Sequence, residues 1–323
     1  MKTSLKSLFI IALSSLFALA YAQTFPSRPI KLIVAGSPGA STDAVARALS
    51  LGMSERLGVP VVVENKAGAN GVVAGMIVTK AAADGHTLLI TPSDSQVLAP
   101  LITKDLPYST ERDFTPIAKV AELNLMFAVS SKVSANTITE LVALAKSQPG
   151  KLTYGSSGLG GVQQLTVEML RQRADLDLLH VPYKGGAEVA QAIASGEIDI
   201  FAGSPLLLAP LAKAGRVKAI AIAKMSRAEV LPDMPTMTES GYPNFVSSSW
   251  YGVFGPAKMP PEILKSLSDA IVATVNSPEY VKRMANLSVE ATAMGHVEFA
   301  KYTLSESKSW RVLLESSGIK TVR

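Results

Sequence analysis

The 323-residue chain carries 31 Lys and Arg against 26 Asp and Glu, a formal net charge of +5 that is too small to suggest a nucleic-acid surface. Hydrophobic residues make up 48% and charged residues 18%, so a substantial buried core is expected and general disorder is not. With no Cys, the sequence excludes disulfides, Cys-bound zinc, thiol catalysis and a lipid-modified N-terminal Cys.

Residues 1–22 have the layout of a secretory signal. Lys2 and Lys6 give the positive end, Leu8 to Leu19 the apolar stretch, and Ala20-Tyr21-Ala22 the small-x-small cleavage site. The apolar stretch is shorter than the ~20 residues a spanning helix needs, so cleavage after Ala22 and export to the periplasm are expected.

From Ile30 onward, short apolar runs alternate with amphipathic stretches, the pattern of an α/β protein. The pattern predicts a strand at Ile30–Ala35, a helix at Thr42–Leu57, a strand at Val59–Val63, a helix at Val72–Ala82 and a strand at His86–Thr91. Residues 92–113 read as loop, with one short helix near Ser95–Leu101. A long apolar run, Ile117–Val129, reads as a strand leaving this first cluster. The order then restarts, with a helix at Thr137–Lys146, a strand at Leu152–Tyr154, a helix at Val162–Arg173, a strand at Leu178–Val181 and a helix at Ala187–Ser195. Strands at Glu197–Phe201 and Val217–Ala223 follow. Trp250–Phe254 reads as a strand returning to the first cluster, and helices at Pro261–Asn276, Pro278–Ala285 and His296–Ser316 complete the chain. This order predicts two α/β lobes. The first is discontinuous, formed by 23–123 plus 248–323, and the second is formed by 124–247. A two-stranded connection would place a ligand cleft between them.

Few residues suggest catalysis. The three His, at 86, 180 and 296, stand at element ends. Gly155-Ser156-Ser157-Gly158-Leu159 approaches a nucleophile elbow and fails at its last position. Neither a His-x-x-x-His pair nor an Asp-rich calcium loop is present, so no catalytic residue, metal ligand or cofactor is assigned. The Gly155–Gly161 stretch also lacks the spacing of a dinucleotide loop and the Lys-Ser/Thr pair of a phosphate loop.

One device, however, occurs twice. Ala35-Gly36-Ser37-Pro38-Gly39-Ala40 ends one strand and leads into a helix at Ser41-Thr42-Asp43, and Gly155 to Gly161 does the same in the second lobe. Small residues let a ligand approach the backbone, and exposed amides at a helix start attract anions. Two such loops facing one cleft would hold a carboxylate without an Arg. Ser41, Thr42 and Asp43 are also natural N-caps, and Asp43 is expected to cap its helix.

Several separate stretches carry a family resemblance: Phe25-Pro26-Ser27-Arg28-Pro29-Ile30, Glu64-Asn65-Lys66-Ala67-Gly68-Ala69-Asn70-Gly71, Asp84-Gly85-His86-Thr87, Pro149-Gly150-Lys151-Leu152, Val181-Pro182-Tyr183-Lys184-Gly185-Gly186 and Trp250-Tyr251-Gly252. With the two Gly loops, in this order, they resemble the Bug (TctC-type) extracytoplasmic solute-binding receptors of tripartite tricarboxylate transporters. The resemblance implies a two-lobed α/β fold of the type II periplasmic-binding-protein kind. It implies a monomeric, non-enzymatic receptor that closes over a small organic carboxylate and delivers it to membrane carrier subunits, with no cofactor.

Carried over by position, the first loop supplies Gly36, Ser37, Pro38, Gly39, Ala40 and Thr42, and the second supplies Ser156, Ser157, Gly158, Gly160 and Gly161. Thr91, Ser93 and Ser95 would line the first lobe, and Tyr183, Gly203 and Ser204 the second. Three departures point away from amino-acid or citrate ligands and toward a plain or aromatic carboxylate. Ala40 replaces a usual Gly, Gln164 a usual His, and Gly203-Ser204 a usual acidic residue. A secreted two-lobed hydrolase and a sensory adaptor for the same ligand class are the alternative readings.

Overall fold

The computed structural model describes residues 25–68, 71–183, 185–227 and 231–317, with the side chains of 316 and 317 not described. The signal segment with its cleavage site, Ala69, Asn70 and Lys184 lie outside the described residues.

The chain begins with β1 (Ile30–Val34), α1 (Ser41–Leu57), β2 (Val61–Asn65), α2 (Val72–Thr79) and β3 (Thr87–Pro92). A π-helical segment, Asp94–Leu98, runs into α3 (Ala99–Ile102), and α4 (Thr110–Asp113) precedes β4 (Phe114–Asn124). Next come β5 (Met126–Ser130), α5 (Ile138–Ser147), β6 (Thr153–Ser156), α6 (Val162–Ala174), β7 (Leu179–Pro182) and α7 (Gly186–Ser195). The sequence continues with β8 (Ile200–Gly203), α8 (Pro205–Lys213), β9 (Val217–Ile222) and β10 (Ser248–Pro256). It closes with α9 (Pro261–Val275), α10 (Pro278–Asn286), β11 (Glu290–Met294) and α11 (His296–Ser317).

Two sheets organise these elements. One has the order β11-β4-β10-β3-β1-β2 and the other β7-β6-β8-β5-β9. In the first, β1 runs parallel to β2 and β3, and β10 is antiparallel to β3 and β4. Parallel strands buried on both faces read as continuous apolar runs, and Ile30, Leu32, Ile33 and Val34 are all buried. The second sheet has its own cores, one of which includes Phe127, Tyr154, Ile200 and Phe245.

The long apolar run predicted as one strand is two, β4 and β5, one in each sheet. Leu125 separates them because its backbone is claimed by other segments. Its N–H donates to Ser247 O at 3.1 Å, and its carbonyl accepts Ala223 N–H at 2.8 Å. Ser247 N–H in turn donates to Ala223 O at 3.0 Å, so the crossing segments at 125 and 247 are tied to each other and to the end of β9.

Three elements escaped the sequence reading, one of them the single turn α4 in a stretch read as loop. Pro210 reads as a helix breaker, yet α8 forms around it, with Pro205 in the first turn and Ser204 Oγ accepting Leu206 N–H at 3.2 Å. β11 has little strand propensity of its own and exists through antiparallel pairing with β4.

On the back of the first lobe, Trp250 is fully buried against Phe299 and Phe254, and its indole N–H donates to Glu306 of α11. α11 packs on β4, on the π-helical segment and on α6, so it touches both lobes.

Candidate functional site

The two Gly-rich loops follow β1 and β6, the central parallel strands of each sheet, and each opens a helix aimed between the lobes. α1 makes its first internal bond from Ala44 N–H to Ala40 O at 3.0 Å, so the Ser41, Thr42 and Asp43 amides have no partner within the helix. α6 begins in the same way, with Leu165 N–H donating to Gly161 O at 3.1 Å, and the amides at issue there are those of Val162, Gln163 and Gln164. Between these helix starts lies a cavity of about 570 Å³.

Its walls combine apolar and polar surface, with Val72, Leu98, Ile102, Leu125, Leu207 and Tyr251 among the apolar members. Its polar members include Ser41, Asp94, Ser95, Gln163 and Ser249, and no described Lys, Arg or His lines it. A larger groove of about 660 Å³, near Tyr108 and Arg311, lies away from both loops, between the region of α3 and α4 and α11.

Of the residues assigned from sequence, the cavity brings together Ser95, Ser157, Gly158, Gly160, Gly161 and Ser204. The others do not line it, and their surroundings can be read off individually. Gly36 N–H turns back to Val34 O, and Ala40 N–H turns to Ser37 O. Gly39 N–H is taken at 2.9 Å by the Asp43 carboxylate, which also accepts Arg47 Nε at 3.0 Å. With Ser37 and Pro38 in the same turn, that loop meets the cavity through Ser41 instead.

Thr42 is buried, and the Thr91 hydroxyl is directed at Pro92 O. Ser93 is buried with its hydroxyl 3.5 Å from that of Ser249. The Tyr183 hydroxyl donates to Glu197 at 2.8 Å. A Cβ at Gly203 would stand 2.3 Å from the Phe201 ring, so this glycine makes room for packing. Asp43 caps no helix end by the usual geometry. From the third helical position it reaches back to fix the loop, and the Arg47 hydrogen bond leads the effects that hold its carboxyl below the ordinary range.

The departure at position 40 costs nothing locally, because Ala40 has φ −73° and ψ 164°, a backbone that any residue adopts. Gln164 has a definite role. Its Oε1 accepts Gly160 N–H at 2.7 Å, and its Nε2 lies 3.3 Å from His180 Nδ1. His180 Nε2 is 2.7 Å from Ser156 Oγ, which donates to Gly158 O at 2.7 Å. These contacts form one consistent chain if His180 is neutral and protonated on Nε2, and burial lowers its pKa accordingly. The chain fixes the loop from behind.

It also contains a Ser–His pair, the arrangement a hydrolase would need, but without the reach of a nucleophile. Ser156 is fully buried, and the other His180 nitrogen meets an amide rather than a carboxylate.

The sequence reading missed Asp94, Ser249 and the Ser41–Tyr251 pair. Asp94 Oδ1 accepts Val162 N–H at 3.2 Å across the cleft, and its Oδ2 accepts the Ser249 hydroxyl at 3.1 Å. Desolvation raises its pKa against these hydrogen bonds. The Tyr251 hydroxyl shares a hydrogen bond with Ser41, and burial pushes its pKa up to about 12. The signal for Ser41 lay in the sequence, as a hydroxyl at a helix start. For Asp94, Ser249 and Tyr251 none existed, because they meet only through β3 and β10.

With this geometry established, comparison with known proteins is decisive. The family model of the tripartite tricarboxylate transporter family receptor matches residues 45–319. The chain belongs to this family. It is 34% identical over 291 residues to a UPF0065 protein in the tcbD-tcbE intergenic region of Pseudomonas sp. (strain P51), covering 90% of this chain and 86% of that one. Its fold matches the periplasmic binding protein BugD with a TM-score of 0.76 and 29% identity, over 92% of this chain and 99% of that one. It matches Rpa4515 of R. palustris, solved with adipate, with a TM-score of 0.82 and 26% identity, over 92% of this chain and all of that one. The protein is therefore a periplasmic solute-binding receptor of the Bug/TctC family and not an enzyme.

Proposed function

We propose that this receptor captures a small carboxylate in the cleft between its two sheets and presents it to the membrane carrier of a tripartite transporter. The observation that carries the proposal is the cavity itself. It has apolar wall residues beside its polar ones, lacks a described basic side chain, and has a helix start on either side. Such a site offers an anion backbone N–H groups and the positive ends of helix dipoles, while the walls suit a hydrocarbon body.

The free donors are those at the start of α1, because most loop amides are already held by Asp43, Gln163, Gln164 and Ser156. In this reading Ser41, Ser95, Ser157, Gly158, Gly161 and Ser204 border the ligand, while the remaining loop residues shape the turns that present it. The lobes, 23–123 plus 248–323 and 124–247, close about the crossing segments at 125 and 247. A monomer released to the periplasm by cleavage after Ala22 then delivers the ligand. The adipate in Rpa4515 supports the ligand class.

Thermal unfolding with straight-chain and aromatic monocarboxylates, with the ligand examined afterwards by NMR, tests this. A ligand at a hundred times its Kd stabilises by ~2.7 kcal/mol and is recovered intact. No stabilisation by any acid in the series would refute the proposal, and conversion of the acid would favour a hydrolase.

A further inference from the structure

The start of α6 already holds a carboxylate, and it is the protein's own. Asp94, half-buried on the π-helical segment of the first lobe, lines the cavity and reaches across the cleft. Its Oδ1 accepts Val162 N–H at 3.2 Å and comes within 3.8 Å of where a Cβ on Gly161 would be. Its Oδ2 is held from behind by the Ser249 hydroxyl at 3.1 Å. At the opposite helix start, Gly39 N–H is committed to Asp43, but Asp43 is directed back into its own loop and does not line the cavity. The two ends of the cleft therefore differ in occupancy. The α1 end offers amides with no partner among the described residues, and at the α6 end a carboxyl group of the protein already takes the first helix amide.

We infer that Asp94 is a specificity-determining residue that admits one ligand carboxylate, at the α1 end, and rejects a second one at the α6 end. This inference rests on the carboxylate-receptor reading. A second ligand carboxylate at α6 would have to displace the Asp94 carboxyl from Val162 N–H and from the Ser249 hydroxyl, or sit against it with no described cation in the cavity wall to offset the two acidic groups. A ligand whose far end is a methyl group or an aromatic ring meets Leu125 and Leu207 instead.

The test compares two six-carbon acids that differ only in the far carboxylate, hexanoate and adipate. Calorimetric titration at one pH and ionic strength is carried out on the wild type, Asp94→Asn and Asp94→Ala. Asp94→Asn keeps an acceptor for Val162 N–H and removes the charge, and Asp94→Ala also frees the amide. Melting curves establish that each variant folds, and if the Ala form does not, the Asn form decides.

The wild type is expected to bind hexanoate at least tenfold more tightly than adipate. Both substitutions should shift the ratio at least tenfold toward adipate, more strongly in Asp94→Ala. A wild type that binds both acids with a ratio unchanged in folded variants overturns the role of Asp94 and leaves the receptor reading standing. A wild type that binds neither acid, nor any other carboxylate, overturns both.

Discussion

Gly160 is one of the points where the two lobes meet, and substituting it separates the cost of backbone strain from the cost of closure. Its φ is +71°, in the left-handed region, and a Cβ there would stand 2.5 Å from Ile102 Cδ1 and 3.0 Å from Ile102 Cγ2. Ile102 is β-branched, so rotating one methyl away from the new atom leaves the other facing it. In Gly160→Ala the left-handed backbone costs roughly 1 kcal/mol within the second lobe itself. The clash costs about 1–3 kcal/mol more, but only while the first lobe is in place against it. The first cost should appear as a loss of about 2–4 °C in Tm. The second should appear as binding weakened roughly five- to hundredfold.

Calorimetric titration with hexanoate and thermal unfolding are measured for Gly160→Ala, Ile102→Ala and the double variant. Removing the Ile102 side chain clears the space, so Gly160→Ala in that background should weaken binding less than about twofold while keeping its full Tm loss. An equal loss of affinity in both backgrounds would refute the argument that the contact opposes closure.

Two further substitutions test the electrostatics. Burial pushes the Glu306 carboxyl up to about 7, against the hydrogen bond from Trp250. The folded protein therefore holds this proton more tightly than the unfolded chain. The stability it confers is complete below the ordinary 4.5 and is lost as pH rises through about 7, by as much as ~3 kcal/mol. Glu306→Gln should flatten that part of the stability–pH profile measured by urea unfolding at pH 5 and 8, and an unchanged slope would contradict the assignment. Arg47 is mostly exposed and pairs with Asp43 without lining the cavity, so Arg47→Ala should change hexanoate affinity less than about threefold and leave the melting temperature close to that of the wild type. Loss of binding in a folded Arg47→Ala variant would show that a fixed cation, not the helix start, holds the anion.

The alternation of strands and helices was legible because both sheets are built on buried parallel strands whose apolar runs, such as Ile30–Val34, stand out from their flanks. The Gly loops were legible for the same local reason. Other features depend on contacts distant in sequence. Residues 117–129 show no internal break, and the division at Leu125 comes from Ser247 and Ala223, about a hundred residues on. Sequence showed where amides would be exposed but not which were already spoken for. That depended on Asp43, Gln163 and Gln164 folding back onto their own loops. Asp94 looked like a loop residue until β3 and β10 placed it beside Ser249 and opposite Val162.

The central claim is that a ligand carboxylate is held in the cleft by the amides at the start of α1. Amide NMR of the 15N-labelled protein titrated with hexanoate tests it most directly, since a hydrogen-bonded anion moves the proton shifts of its donors. The account predicts that the largest saturable shifts fall on Ser41 and Thr42, with smaller ones at Gln163 and Gln164. Shifts confined to the groove around Tyr108 and Arg311, with the Ser41 and Thr42 amides unmoved at saturation, would contradict it.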